Sequence, residues 1–257
     1  MSYLVVIVVA FIASGLTFFS GFGLGTLLLP AFALFFPAEH AVALTAVVHF
    51  LNGLFKLGLV ARYANLGIVL RFGVPAILAS LLGAALLVWL SGIAPLATYR
   101  ILGREAQVTP VKLVVGGLLL LFGLVDLLPH TEGLSFSPRY LPLGGALSGF
   151  FGGLSGMQGA LRSAFLMRTN LPKEAFIATG VVVAALVDVS RLGVYFRALA
   201  REHAHIDYTL LAGAVLAAFA GAVAGNRWLR TMTMHGVRRI VAAMLLVVAT
   251  GLAAGLI

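Results

Sequence analysis

The chain has 257 residues, 61% of them hydrophobic and 10% charged, with a net charge of +9 and no cysteine. A soluble domain carries about 25% charged residues, and apolar runs long enough to cross a bilayer recur from end to end, so the chain is read as an all-α polytopic membrane protein. Continuous apolar stretches exclude an alternating outer-membrane barrel, and the missing cysteines exclude disulfides and thiolate metal sites. Short loops hold most of the Lys and Arg, which makes them anchors facing anionic lipid, not a nucleic-acid surface.

Residues 3–20 are apolar, lack a basic leader region, and read as a retained helix. They run into Ser20-Gly21-Phe22-Gly23-Leu24-Gly25. Each glycine costs about 1 kcal/mol relative to alanine inside a helix. Loose backbone in lipid is tolerated only where protein shields it or a wet cavity adjoins it. Residues 25–36 form a shorter apolar piece before Pro37; its length of about 18 Å falls short of a core of about 30 Å. Residues 3–36 therefore read as a re-entrant hairpin with the glycines at its tip. Spans are expected at 38–62, 66–90 and 110–128, with a polar loop carrying Arg100, Arg104 and Glu105 before the last.

That unit, 1–128, is followed by a linker at 129–140 and by a second unit, 141–257. At an offset of 135 residues Ser20-Gly21 falls on Ser155-Gly156, Pro37 on Pro172, Glu39 on Glu174, Lys56 on Arg191 and Arg62 on Arg197. Beyond Arg201-Glu202-His203 the offset becomes 138, and Gly83-Ala84 meets Gly221-Ala222. Matches at Pro, Glu, Arg and Ser-Gly are informative in so apolar a chain, and they define two homologous repeats. Loop charge does not choose between parallel and inverted halves, but length does. A single helix over 3–36 would run about 50 Å, too long for one crossing. Each repeat is expected to hold a re-entrant hairpin and three spans, and the halves to be inverted.

Paired glycine breaks at corresponding points of two halves mark a transporter binding site. The candidate substrate residues are Ser20, Gly21, Gly23 and Gly25 in the first tip and Ser155, Gly156, Gln158 and Gly159 in the second. A half-helix starting at such a tip offers unpaired N–H groups and about half a positive charge to an anion. The alternative is close helix packing through small residues. Arg162 lies just inside the second half-helix, where the first repeat has Leu27; it is either an anion ligand or a cation snorkelling to the interface. Thr45, His49, Asn52 and Lys56 share one helical face, and Asp188, Arg191 and Tyr195 make the equivalent face in the other half. Lys56 is a candidate anion partner and His49 a protonation switch, with Asn52 and Asp188 as further coupling or gating candidates. Asp188 and Arg191, three apart, also suit a mutually neutralising structural pair.

Gly153-Leu154-Ser155-Gly156 matches the G-x-S-G pattern of rhomboid-type intramembrane proteases. The reading fails for want of a general base on a neighbouring helix, since His203, His205 and His235 are expected in polar loops and His49 falls in the other half. The same Ser-Gly recurs in the first repeat, so no enzyme is expected. His203 and His205 are not spaced as a metal site, and no cofactor is expected.

A glycine-rich break opening a Pro-containing half-helix, repeated after the midpoint, resembles the TauE/SafE family of sulfite exporters, also called four-toluenesulfonate uptake permeases. Gly21-Phe22-Gly23-Leu24-Gly25…Pro30 and Gly153-Leu154-Ser155-Gly156…Gly159 carry the resemblance; Phe165 stands where the first repeat has Pro30. It implies a multi-pass secondary transporter moving sulfite, organosulfonates or related anions across the inner membrane. Its rivals are an anion channel using the tips as a filter and a membrane scaffold in which the tips only pack. The expected partners are a small anion and membrane lipid, and a homo-oligomer is compatible with the reading.

Overall fold

The computed structural model describes residues 2–20, 24–101, 103–127, 135–201, 207–228 and 234–257. Ten α-helices and one β-hairpin lie among them. The first five helices are α1 (Ser2–Ser20), α2 (Leu24–Ala33), α3 (Ala38–Val60), α4 (Leu66–Ser91) and α5 (Pro110–Leu127). They are followed by α6 (Leu141–Ser155), α7 (Gly159–Leu166), α8 (Lys173–Arg201), α9 (Tyr208–Trp228) and α10 (Met234–Ala253). Three segments among the described residues, Ala38–Tyr63, Leu66–Ser91 and Lys173–Ala198, are long and apolar enough to cross a membrane.

The distribution of apolar side chains is that of a protein solvated by lipid. On α4, Leu66, Leu70, Val74, Leu78, Leu82 and Trp89 are all exposed, at spacings close to one turn. The opposite face buries Phe72, Ala76, Ser80 and Leu87. In water such an outward stripe would drive association; in hydrocarbon it is the solvated face. Asn65 starts this helix, its Oδ1 accepting from the Ile68 N–H at 3.0 Å.

Between helices, glycine decides the closest approaches. A Cβ added to Gly145, Gly149 or Gly153 of α6 would lie 2.1 Å from the carbonyl oxygen of Phe72, Ala76 or Ser80 of α4. Both series advance by four, so α4 and α6 run parallel, backbone against backbone. Gly213 and Gly221 of α9 meet Ile7 and Phe11 of α1 in the same ascending order, and these helices are parallel too. Gly116 faces Ala249–Ala253 while Gly123 faces Ala242 and Leu245, so α5 and α10 are antiparallel. For α3 and α8 the pairs are His49 with Asp188, and Asn65, just beyond α3, with Thr179; this pair is antiparallel as well. With no hydrophobic drive between helices in lipid, small residues and Cα–H···O contacts hold such pairs.

α7 folds back along α6. Phe165 sits where a Cβ on Gly144 would be, Phe165 stacks on Phe136, and the Phe136 N–H donates to the Ala164 carbonyl at 3.2 Å. The end of α7 is thus returned to the start of α6.

Two sequence expectations change. The polar loop around Arg100 and Glu105 is a β-hairpin, β1 (Ala97–Ile101) against β2 (Arg104–Val108), antiparallel with Arg100 opposite Glu105. Thr98, Tyr99, Ile101 and Val108 favour extended backbone, and Gly103 turns the chain at φ +77°. The Tyr99 hydroxyl donates to the Ala254 carbonyl, and the Gln107 N–H to that of Gly255 at 3.2 Å, which ties the hairpin to the end of α10. His235, expected in a loop, lies in the first turn of α10. Gly21, Gly23, His203 and His205 lie outside the described residues.

Candidate functional site

The site grows from the C-terminal end of α6. A helix leaves its last carbonyls without intrahelical partners. Gly156 closes this one in the left-handed conformation, φ +81° and ψ 0°, its N–H donating to the Gly152 carbonyl at 2.9 Å. A side chain there would be strained, so the turn requires glycine. Arg191 Nη1 also donates to the Gly152 carbonyl, at 3.1 Å, and the Tyr195 hydroxyl donates to that of Gly153. Arg191 and Tyr195 are one turn apart on α8, so a single face of that helix caps α6. A cation at this end also complements the negative end of the helix dipole.

Arg191 is fully buried. Its Nε and Nη2 donate to Asp188 Oδ1 at 2.9 and 2.7 Å, and Gln158 Nε2 donates to the same oxygen at 3.2 Å. His49 Nδ1 lies 2.5 Å from Asp188 Oδ2. A carboxylate only accepts, so this contact sets Nδ1 as the protonated nitrogen of His49. Removing one partner from such a buried network is costly, since it strands a charge or a polar group. The paired reading of Asp188 and Arg191 therefore describes the geometry, extended to both halves of the chain by His49 of α3.

Gln158 carries the network onward. Its Oε1 accepts from Arg162 Nη1 at 3.3 Å, and its carbonyl accepts from Ser148 Oγ at 3.0 Å. Arg162 is half-buried against α8, its Nε 3.4 Å from where Gly180 would carry a Cβ. Lys56, half-buried on α3, is close enough to Arg162 for the two charges to repel. One end of the string is thus cationic.

Gly25, in α2, meets the turn at Gly156. A Cβ on Gly25, in the first turn of α2, would lie 2.9 Å from the Gly156 carbonyl oxygen and 3.7 Å from Thr45 Cγ2. Gly159, fully buried, starts α7 beside this junction. Ser155 turns its hydroxyl into its own helix, donating to Phe151 O at 3.0 Å, and Ser20 is the last described residue of α1. Asn52 accepts from Ser14 Oγ at 3.2 Å, joining α3 to α1. Sequence spacing exposes the Asp188–Arg191 pair and the Tyr195 that follows it. The capping of α6 was missed, because nothing in the spacing of α8 names the carbonyls it will meet.

From one end of the bundle a cavity of about 410 Å³ opens beside Phe36, Glu39, Ser91, Gln107 and Lys112. A second space of about 20 Å³ shares Glu39 and Ser91 with it and is bounded by His40, Ala43 and Tyr195. It has room for about one water. Tyr195 thus stands between this space and the α6 cap. No group of three His, Cys, Asp or Glu side chains suited to a metal occurs among the described residues.

Lipid-facing apolar helices around a buried, cation-rich polar string suit a membrane protein of the transporter kind. The chain belongs to the sulfite exporter TauE/SafE family, whose sequence model matches residues 6–252. Membership carries a membrane setting and a small sulfur-containing anion as the family's substrate class. No curated protein matches the chain.

Proposed function

We propose that this protein is a secondary transporter of a small sulfur oxyanion, sulfite or an organosulfonate, across the inner membrane, with the anion held where the two glycine tips meet. The observation that carries the reading is the contact of Gly25 with the Gly156 carbonyl. It brings α2, which follows the first glycine break, against the turn at Gly156, beside a network holding Arg191, Arg162 and Asp188. α2 and α7 both begin at this junction, and helix N-termini favour anions. Arg162 donates to a neutral amide oxygen, that of Gln158. Arg191 serves by holding the α6 tip in place, and the His49–Asp188 contact is the candidate coupling element.

The inverted-repeat architecture belongs to this proposal, with repeats at 1–128 and 141–257. A helix boundary supports it: α3 and α8 begin at Ala38 and Lys173, 135 apart. Direction supports it too. The equivalent pairs α3/α8 and α5/α10 are antiparallel, as a two-fold axis in the membrane plane requires; an axis along the normal would leave them parallel. α6 and α7, at about 22 and 12 Å, suit a hairpin that enters and returns on one side.

Purified protein in proteoliposomes should take up labelled sulfite with saturation. Gly25→Val should abolish uptake while the protein remains monodisperse in detergent. Wild-type uptake by that variant would remove the tips from the transport path.

A further inference from the structure

Within the apolar helices, hydroxyl side chains are ordinarily satisfied by their own backbone. Ser80, Ser91, Ser155, Ser190 and Thr250 each donate to a carbonyl three or four residues back, at 2.7–3.0 Å. Thr45 does not. It lies on α3 at 1% exposure, and its Oγ1 is buried with no hydrogen-bond partner among the described residues. In a helix threonine chooses between two rotamers, one of which returns Oγ1 to the preceding turn. Thr45 forgoes that bond, although burying a hydroxyl without a partner is unfavourable.

Its position gives the reason. The Thr45 side chain lies against Gly25, which rests on the Gly156 carbonyl, and His49 follows one turn later on the same face. The atom nearest Gly25 is the methyl Cγ2, 3.7 Å from its would-be Cβ, and the unsatisfied hydroxyl branches from the same Cβ beside the first turn of α2. We infer that Thr45 Oγ donates a hydrogen bond to the transported oxyanion and helps set its selectivity. This rests on the transport reading above and adds to it a ligand from α3, beyond the glycine backbone and the cations. A hydroxyl suits an anion with several acceptor oxygens, because it can turn toward whichever oxygen is presented.

The test uses Thr45→Val, which keeps the shape and removes the donor, and Thr45→Ser, which keeps the donor. Both are assayed with sulfite for the ligand-induced shift in melting temperature and for uptake in proteoliposomes, in sodium and in choline buffers. Without sulfite, Thr45→Val should melt at or above the wild-type temperature, since the hydroxyl it removes has no partner. With sulfite, its apparent affinity should fall about tenfold, in keeping with one hydrogen bond to a charged group, while Thr45→Ser stays within about threefold of wild type. Wild-type affinity in Thr45→Val overturns the inference, as does a clear loss of stability without sulfite. Lost sodium dependence at unchanged anion affinity would make the hydroxyl a cation ligand and overturn it as well. If the wild-type protein neither shifts with sulfite nor takes it up, the transport reading fails first and the inference with it.

Discussion

Gly149→Ala isolates the role of the α4–α6 interface in placing the tip. The added methyl would sit 2.1 Å from the Ala76 carbonyl oxygen and 2.6 Å from its Cα. Carbon and carbonyl oxygen touch at about 3.3 Å, so the two helices must part by about 1.2 Å or shift along one another. Overpacking of this kind costs about 1–3 kcal/mol, and the neighbouring contacts of Gly145 and Gly153 would loosen with it. The tip at Gly156 is about 10 Å further along the same rigid element, so much of the displacement reaches it. A misplacement of about 1 Å at a working constellation can cost about 100-fold. Melting temperature in detergent and sulfite uptake in proteoliposomes should therefore both fall. Gly117→Ala is the control: it is also a helical glycine, but nothing lies within 4 Å of its would-be Cβ. It should leave uptake intact and add up to about 1 kcal/mol through helix propensity. Wild-type melting and uptake in Gly149→Ala would refute the claim that backbone contact here positions the tip.

The Asp188 network predicts an asymmetry between its members. Asp188→Ala takes the carboxylate partner from the buried Arg191 and should cost about 3–5 kcal/mol in thermal melting. Arg191→Met should cost less, because His49 and Gln158 still bond Asp188; equal costs, or no recovery in the double variant, would deny that the two act as a pair. The inverted arrangement predicts that single cysteines placed at Arg62 and at Arg197, in this cysteine-free chain, react with an impermeant reagent from opposite faces of the membrane. Labelling from one face for both would exclude it.

How much of this was legible in the sequence depends on whether the determinant is local. The spans at 38–62 and 66–90 follow from apolar length, and α3 and α4 begin at Ala38 and Leu66 as expected. The Asp188–Arg191 pair follows from helical spacing and is present at 2.7 Å. The β-hairpin was not legible, because two five-residue strands bearing Arg100, Arg104 and Glu105 look like a polar loop until they pair. Nor was the partner of the α6 glycines: Gly145, Gly149 and Gly153 announce a close approach, but only the fold selects α4 as the surface approached. Thr45 is the sharpest instance. Its spacing placed it on a polar face, yet the missing bond of its hydroxyl is visible only once every neighbour has been placed.

The central claim is that an anion is carried across at the meeting point of two glycine tips, and solute counterflow tests it most directly. Proteoliposomes preloaded with unlabelled sulfite are diluted into a trace of labelled sulfite without an imposed membrane potential. A carrier should accumulate label transiently above equilibrium, and Gly25→Val should abolish that overshoot. Equilibration without overshoot would mark a channel, and overshoot unaffected by Gly25→Val would place the anion elsewhere in the protein.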